Sequence, residues 1–216
     1  MGIILVFDLD QTLIDSNVLI RQENIWDRIG ANLNMRLINE VLKPALELRV
    51  DKKVDAIFLL SNNSSIDYVL NVIRYLSLIL GVDELFDYSM IRTHPSRPKN
   101  DNPPKRMTDI KYMMNNAVIP IPYTDDLASR VYFFDDKTDH AIRKEFEPDH
   151  YIEIQGPDVD AAGNNKGFIA GKPDFSDYRE ITRVFRALQR KNRNHVNHGG
   201  YKTRRIKRKT RKCKSK

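Results

Sequence analysis

The chain has 216 residues, 41% hydrophobic and 30% charged, which is enough for one sizeable core, and no run approaches the ~18 apolar residues of a membrane span. Its net charge of +7 is unevenly placed: from Arg190 onward there are 13 Lys/Arg and no Asp/Glu, so the other 23 basic and 29 acidic residues sum to −6. The one cysteine, Cys213, lies in that basic segment, which excludes an internal disulfide.

The apolar start is too short for a signal peptide, and Asp8 interrupts it. A soluble, intracellular protein is expected, with nucleus, cytoplasm and virion all open as its compartment. Ile3–Phe7 reads as the first strand, a short apolar run. Ile25, Trp26 and Ile29 read as ordinary helix-face packing. Residues 39–50 are a helix candidate. Val54–Leu60 is the second strand. After it Ile66, Val69, Leu70, Ile73, Leu76 and Leu80 mark one helical face. Ser64 with Asp67 reads as the capping start of that helix and Gly81 as its stop.

Residues 88–92 form a weaker third strand. Residues 94–104 hold four prolines and read as an irregular loop. Helices are expected over 107–114 and 139–146, with strands at 131–134 and 151–154 around the latter. His140 reads as a helix-start residue. Residues 156–172 are rich in Gly, Asn and Asp and read as a loop. A last helix is expected over 174–189, and the basic segment 190–216 as a disordered tail. Strand–helix alternation predicts an α/β fold: a Rossmann-like, mostly parallel sheet flanked by helices, in one domain over 1–189.

Three of these strands stop at polar groups. The first runs into Asp8-Leu9-Asp10-Gln11-Thr12. One carboxylate at a strand exit can attack while the other moves a proton, and Thr12 could orient the second. A bland alternative is a polar turn with Asp10 as a cap. The second strand ends at Ser61-Asn62-Asn63, where a hydroxyl and helix-start N–H groups suit an anion, although Ser61 alone reads as readily as a cap. The fourth ends at Asp135-Asp136, with Asp139 beyond. Carboxylates at two strand ends suit a hard cation such as Mg²⁺, and Asp136 could equally cap a helix. Lys99, Lys105 and Lys111 all lie between the second and fourth strands, and Lys105 stands just before a helix.

Taken together, over roughly residues 1–155, these motifs and their order resemble the haloacid dehalogenase superfamily. The resemblance implies a phosphatase acting through an aspartyl-phosphate. By it, Asp8 would be the nucleophile and Asp10 the acid–base. Asp8, the main-chain carbonyl of Asp10 and Asp135 would hold Mg²⁺, with Asp136 acting through water. Ser61 and Lys105 would hold the phosphoryl oxygens, with Thr12 and Asn62 on the substrate. A phosphotransferase or mutase of the same fold, or a catalytically silent binding module, are the alternatives.

The gap of 44 residues between Thr12 and Ile57 leaves no room for a large cap domain. A nearly capless enzyme similar to the polymerase-tail phosphatases is implied, acting on a phosphoprotein or a nucleic-acid end. The tail resembles basic tails on proteins of large double-stranded DNA viruses. It could serve nuclear import, nucleic-acid anchoring or binding to acidic surfaces.

Overall fold

The computed structural model describes residues 1–16, 25–100, 103–122, 125–137, 141–155 and 176–198, with 191–198 described by backbone alone. Five strands form one all-parallel sheet: β1 (Ile3–Phe7), β2 (Val54–Leu60), β3 (Tyr88–Met90), β4 (Val131–Asp135) and β5 (Tyr151–Glu153). Their spatial order is β3-β2-β1-β4-β5. The chain winds outward from β1 to β3, then crosses over to β4. The strand order therefore reverses between β1 and β4, the position where open α/β sheets bind ligands beyond their carboxyl ends.

Each central strand is apolar on both faces, as a sheet covered on both sides requires. Leu5, Phe7, Ile57, Leu59, Tyr132 and Phe134 face one layer, built from α1 (Ile25–Asn32), α2 (Met35–Leu37), α3 (Lys43–Val50), α4 (Ile66–Leu80) and α6 (Arg179–His198). Ile4, Val6, Phe58, Leu60, Val131 and Phe133 face the other, led by α5 (Met107–Asn116). The rings of Phe7 and Phe134 stack at 4.6 Å and lock β1 against β4. Truncating such a buried ring to Ala costs about 3–5 kcal/mol.

The segment after β1 does not form a separate lobe among the described residues. Ile29, Leu33, Leu37, Val41 and Leu48 all enter the same core as β1 and α4. Trp26 is partly exposed and stacks on Tyr75 of α4.

Several helix boundaries differ from the sequence expectation, each for a local reason. The helix expected over 39–50 begins at Met35, where Asn34 caps it by accepting from Leu37 N. It passes through a π-helical turn, Ile38–Leu42, just before Pro44, whose ring and missing N–H disfavour regular α-helix there. Ser65, not Ser64, caps α4, its hydroxyl accepting from Tyr68 N at 3.3 Å. Gly81 stops α4 with a left-handed φ of 66°, as read from sequence.

Where a helix is expected over 139–146, the described residues form a short 3-10 turn, Ala141–Glu145. Among the described residues, Asp136 caps no α-helix. The helix expected at 174–189 starts at Arg179 and runs to His198, so the basic segment from Arg190 begins inside a helix. Asp139, His140, and the stretches 156–172 and 199–216 lie outside the described residues. No helix among the described residues is long and apolar enough to cross a membrane.

Candidate active site

The pleat itself assembles the site. Ile4 and Val6 face α5, so Asp8 continues on that side; Val131 and Phe133 do the same for Asp135. Asp8 also stays in the ladder, its N–H donating to Phe134 O at 2.9 Å, which holds it beside the end of β4. Lys105 arrives from the third direction, two residues before α5. Its ammonium donates to Asp8 Oδ1 at 2.8 Å and to Asp135 Oδ2 at 3.0 Å. All three side chains are buried. Of the three lysine candidates, Lys105 alone takes this place: Lys99 is exposed and Lys111 is half-buried in α5.

Asp136 completes the cluster. Carboxylate oxygens of Asp8, Asp135 and Asp136 lie within 4.8 Å of one another, and Asp136 Oδ1 is buried without a hydrogen-bond partner. Three acids thus face one lysine. Burial pushes the Asp8 carboxyl well above the usual carboxylate range, Lys105 opposes this, and Asp135 and Asp136 add to it. Asp136 is raised by burial and by Asp135. Burial alone would lower Lys105, but Asp135 and Asp8 outweigh it and hold the ammonium protonated.

This donor set fits a divalent cation. It is all hard oxygen, carries excess negative charge and keeps one buried lone pair unmatched, which is what Mg²⁺ takes from a protein. Among the described residues it is the one such group of potential ligands.

Asp10 sits in the turn that follows β1. Gln11 adopts a left-handed φ of 62°, and Gln11 N donates to Ile14 O at 2.8 Å, so the chain doubles back over the sheet. A non-glycine residue in this region is uncommon and marks a constrained turn. Asp10 is then gripped from β2: Asn63 Nδ2 donates to both carboxylate oxygens at 3.1 Å, and Ser61 Oγ donates to Oδ2 at 3.3 Å. Thr12 is fully buried with its hydroxyl unpartnered, and its carbonyl accepts from Asn34 Nδ2. The structure brings Asp8, Lys105, Asp135 and Asp136 together, and links Asp10 to Ser61; it shows no hydrogen bond from the Thr12 hydroxyl to Asp10.

Two residues of this arrangement have no individual role assigned from sequence. One is Asn63, just described, which sequence places only in the polar stop of β2. The other is Arg97, whose guanidinium is buried. It donates to Ser61 O at 2.9 Å, Asn62 Oδ1 at 2.8 Å and Pro103 O at 3.2 Å. Asp109, which also caps α5 by accepting from Arg106 N, lies 3.9 Å from its Nε. Arg97 ties the end of β2 to the proline-rich loop two residues before Lys105, and so positions that lysine. Two of its three acceptors are main-chain carbonyls, which leave no mark in sequence. The nearest signal was an arginine inside a loop of prolines.

No protein-family model, curated protein or solved structure matches this chain.

Proposed function

We propose that the protein is a Mg²⁺-dependent phosphomonoester phosphatase acting through an aspartyl-phosphate on Asp8. The observation that carries this reading is the placement of Asp8. It is a buried carboxylate on the central strand, at the reversal of strand order, facing a buried lysine and two further acids.

When bound, Mg²⁺ would be held by Asp8, Asp135 and Asp136, and would neutralise phosphoryl oxygens and the excess acid charge. The ammonium of Lys105 is the donor for a phosphoryl oxygen, and its present partners Asp8 and Asp135 fix its position. Asp8 attacks phosphorus through a carboxylate oxygen as the ester P–O bond breaks. Asp10 gives its proton to the departing oxygen, then takes one from the water that hydrolyses the acyl phosphate. Inorganic phosphate leaves and Asp8 is restored. The contacts from Asn63 and Ser61 orient Asp10 for both transfers. Such proton transfer contributes about 10²–10⁴ in rate, and fixed charge around the phosphoryl group the larger share.

The helices between β1 and β2 pack into the main core and form no separate lobe, which supports an open site and a phosphate on a macromolecule. Hydrolysis of an aryl phosphate with and without Mg²⁺, by wild type and Asp8→Asn, tests the reading. Activity is expected in wild type with Mg²⁺ alone, falling by at least about 10³ in Asp8→Asn. Equal rates in the two proteins would end it.

A further inference from the structure

The catalytic cluster addresses one phosphoryl group, and it is buried. Two cations on the same stretch of chain stand outside it: Lys99, between the buried Arg97 and Lys105, and Arg106, just after Lys105, are both exposed. A substrate bearing one phosphate has no use for them. A substrate with several phosphates in a row does.

Beside them lies a set of rings. Tyr88, on the edge strand β3, has its hydroxyl 3.1 Å from His94 Nε2, and His94 Nδ1 is 2.8 Å from Ser96 Oγ. The rings of His94 and Tyr112 meet edge to face at 5.2 Å, and Tyr88 meets Tyr112 at 6.2 Å. Tyr112 is 36% exposed. Arg97 N donates to His94 O at 3.0 Å, so the rings adjoin the loop that carries Lys99 and leads to Lys105.

We infer that the substrate is the phosphorylated end of a single-stranded nucleic acid, whose terminal phosphate enters the acid cluster while its next nucleotides lie on a strip made of the exposed Lys99 and Arg106 and the His94 and Tyr112 rings. The inference rests on the phosphatase reading of the same site. Exposed cations with an aromatic platform are what sequence-tolerant single-strand binding uses: charge follows the backbone and rings stack on bases. A phosphopeptide would use the cations but leave the rings idle. The 13 Lys/Arg from Arg190 onward favour a polyanionic partner as well. Hydrolysis consumes one water and leaves inorganic phosphate and a hydroxyl end.

The test uses the full chain with 5′- and 3′-phosphorylated single-stranded oligonucleotides of increasing length, a phosphopeptide and an aryl phosphate. Oligonucleotide kcat/KM is expected to exceed that for the phosphopeptide, and to rise with length up to about three nucleotides. Tyr112→Ala should lower oligonucleotide kcat/KM about tenfold and leave aryl phosphate within about twofold, the loss of one stacked base. The pair Lys99→Gln and Arg106→Gln should reduce the log–log salt slope of oligonucleotide binding by about 1.4, with the basic tail still present. Preference for the phosphopeptide, or an equal effect of Tyr112→Ala on every substrate, overturns the proposal. Anisotropy of a labelled, unphosphorylated oligonucleotide on Asp8→Asn, with and without Tyr112→Ala, separates the two readings. If wild type hydrolyses nothing, the phosphatase reading fails, and the anisotropy still decides whether the strip binds nucleic acid.

Discussion

Both ends of the sheet carry charged side chains in confined places, yet they are balanced differently. At the amino ends of the strands, Arg130 pairs with Asp55 at 2.5 Å and donates to Gly2 O, and Arg49 pairs with Asp87 at 2.7 Å. Asp87 in turn accepts from Ile57 N at the start of the strand's buried run. Both arginines there have an acid, and both acids also accept from a main-chain N–H, Asp55 from Gly2 and Asp87 from Ile57. At the carboxyl ends, three acids share one lysine, and a buried oxygen of Asp136 goes unmatched.

One-to-one pairing at the amino ends ties strands to loops. The surplus at the carboxyl ends is a standing electrostatic cost that a bound cation would relieve. A cavity of about 570 Å³ opens at the amino ends, lined by Val54, Ile119, Pro120 and Ile121 among the paired charges.

The contrast can be broken most sharply at its two lysine and arginine anchors. Lys105→Met leaves three buried acids with no cation and should cost about 3–5 kcal/mol in metal-free protein, with Mg²⁺ recovering part of it. Arg49→Met leaves Asp87 half in water and should cost about 1–3 kcal/mol, with no response to Mg²⁺. Urea denaturation of both proteins, with and without Mg²⁺, measures this; equal losses and equal responses would erase the distinction.

A second effect concerns Arg97, the link between β2 and the Lys105 loop. Arg97→Gln should cost about 1.5–3 kcal/mol from lost charged hydrogen bonds and lower kcat by about 10–10² as Lys105 shifts. Unchanged kcat alongside lost stability would make Arg97 purely architectural.

The smallest effect is one of pH. Asp8 is raised from 3.8 to about 8, so between those values the folded protein holds a proton that the unfolded chain has released. Stability from this group is fully present below about pH 4 and is lost as pH rises toward 8. Metal-free protein should therefore melt at a lower temperature at pH 8 than at pH 5.5. Mg²⁺ should narrow the difference, and so should Asp8→Asn. A wild-type profile that Asp8→Asn leaves unchanged would remove Asp8 as its source.

The central strands β1, β2 and β4 were legible because each is a short run buried on both faces, and their polar stops were legible because Asp8, Ser61 and Asp135 each interrupt such a run. Sequence left Lys99, Lys105 and Lys111 open. What separates them is the path of the loop before α5, which is set by hydrogen bonds from Arg97 to main-chain carbonyls. Asn63 was legible at the polar stop of β2, but its hold on Asp10 was not, because only the doubled-back chain at Gln11 brings Asp10 within its reach. Helix ends moved for similarly local reasons: Ser64 and Ser65 are equivalent on paper until the backbone chooses the one whose hydroxyl faces Tyr68 N.

The most direct test of the central claim is to find the phosphoryl group on the enzyme. Wild type mixed with Mg²⁺ and a phosphorylated substrate, acid-quenched within the first turnovers, is digested and its peptides weighed. The account predicts a phosphoryl adduct on the peptide carrying Asp8, absent from Asp8→Asn and accumulating in Asp10→Asn, where hydrolysis of the intermediate is slowed. Turnover by wild type with no adduct in either protein, or an adduct on another residue, would contradict it.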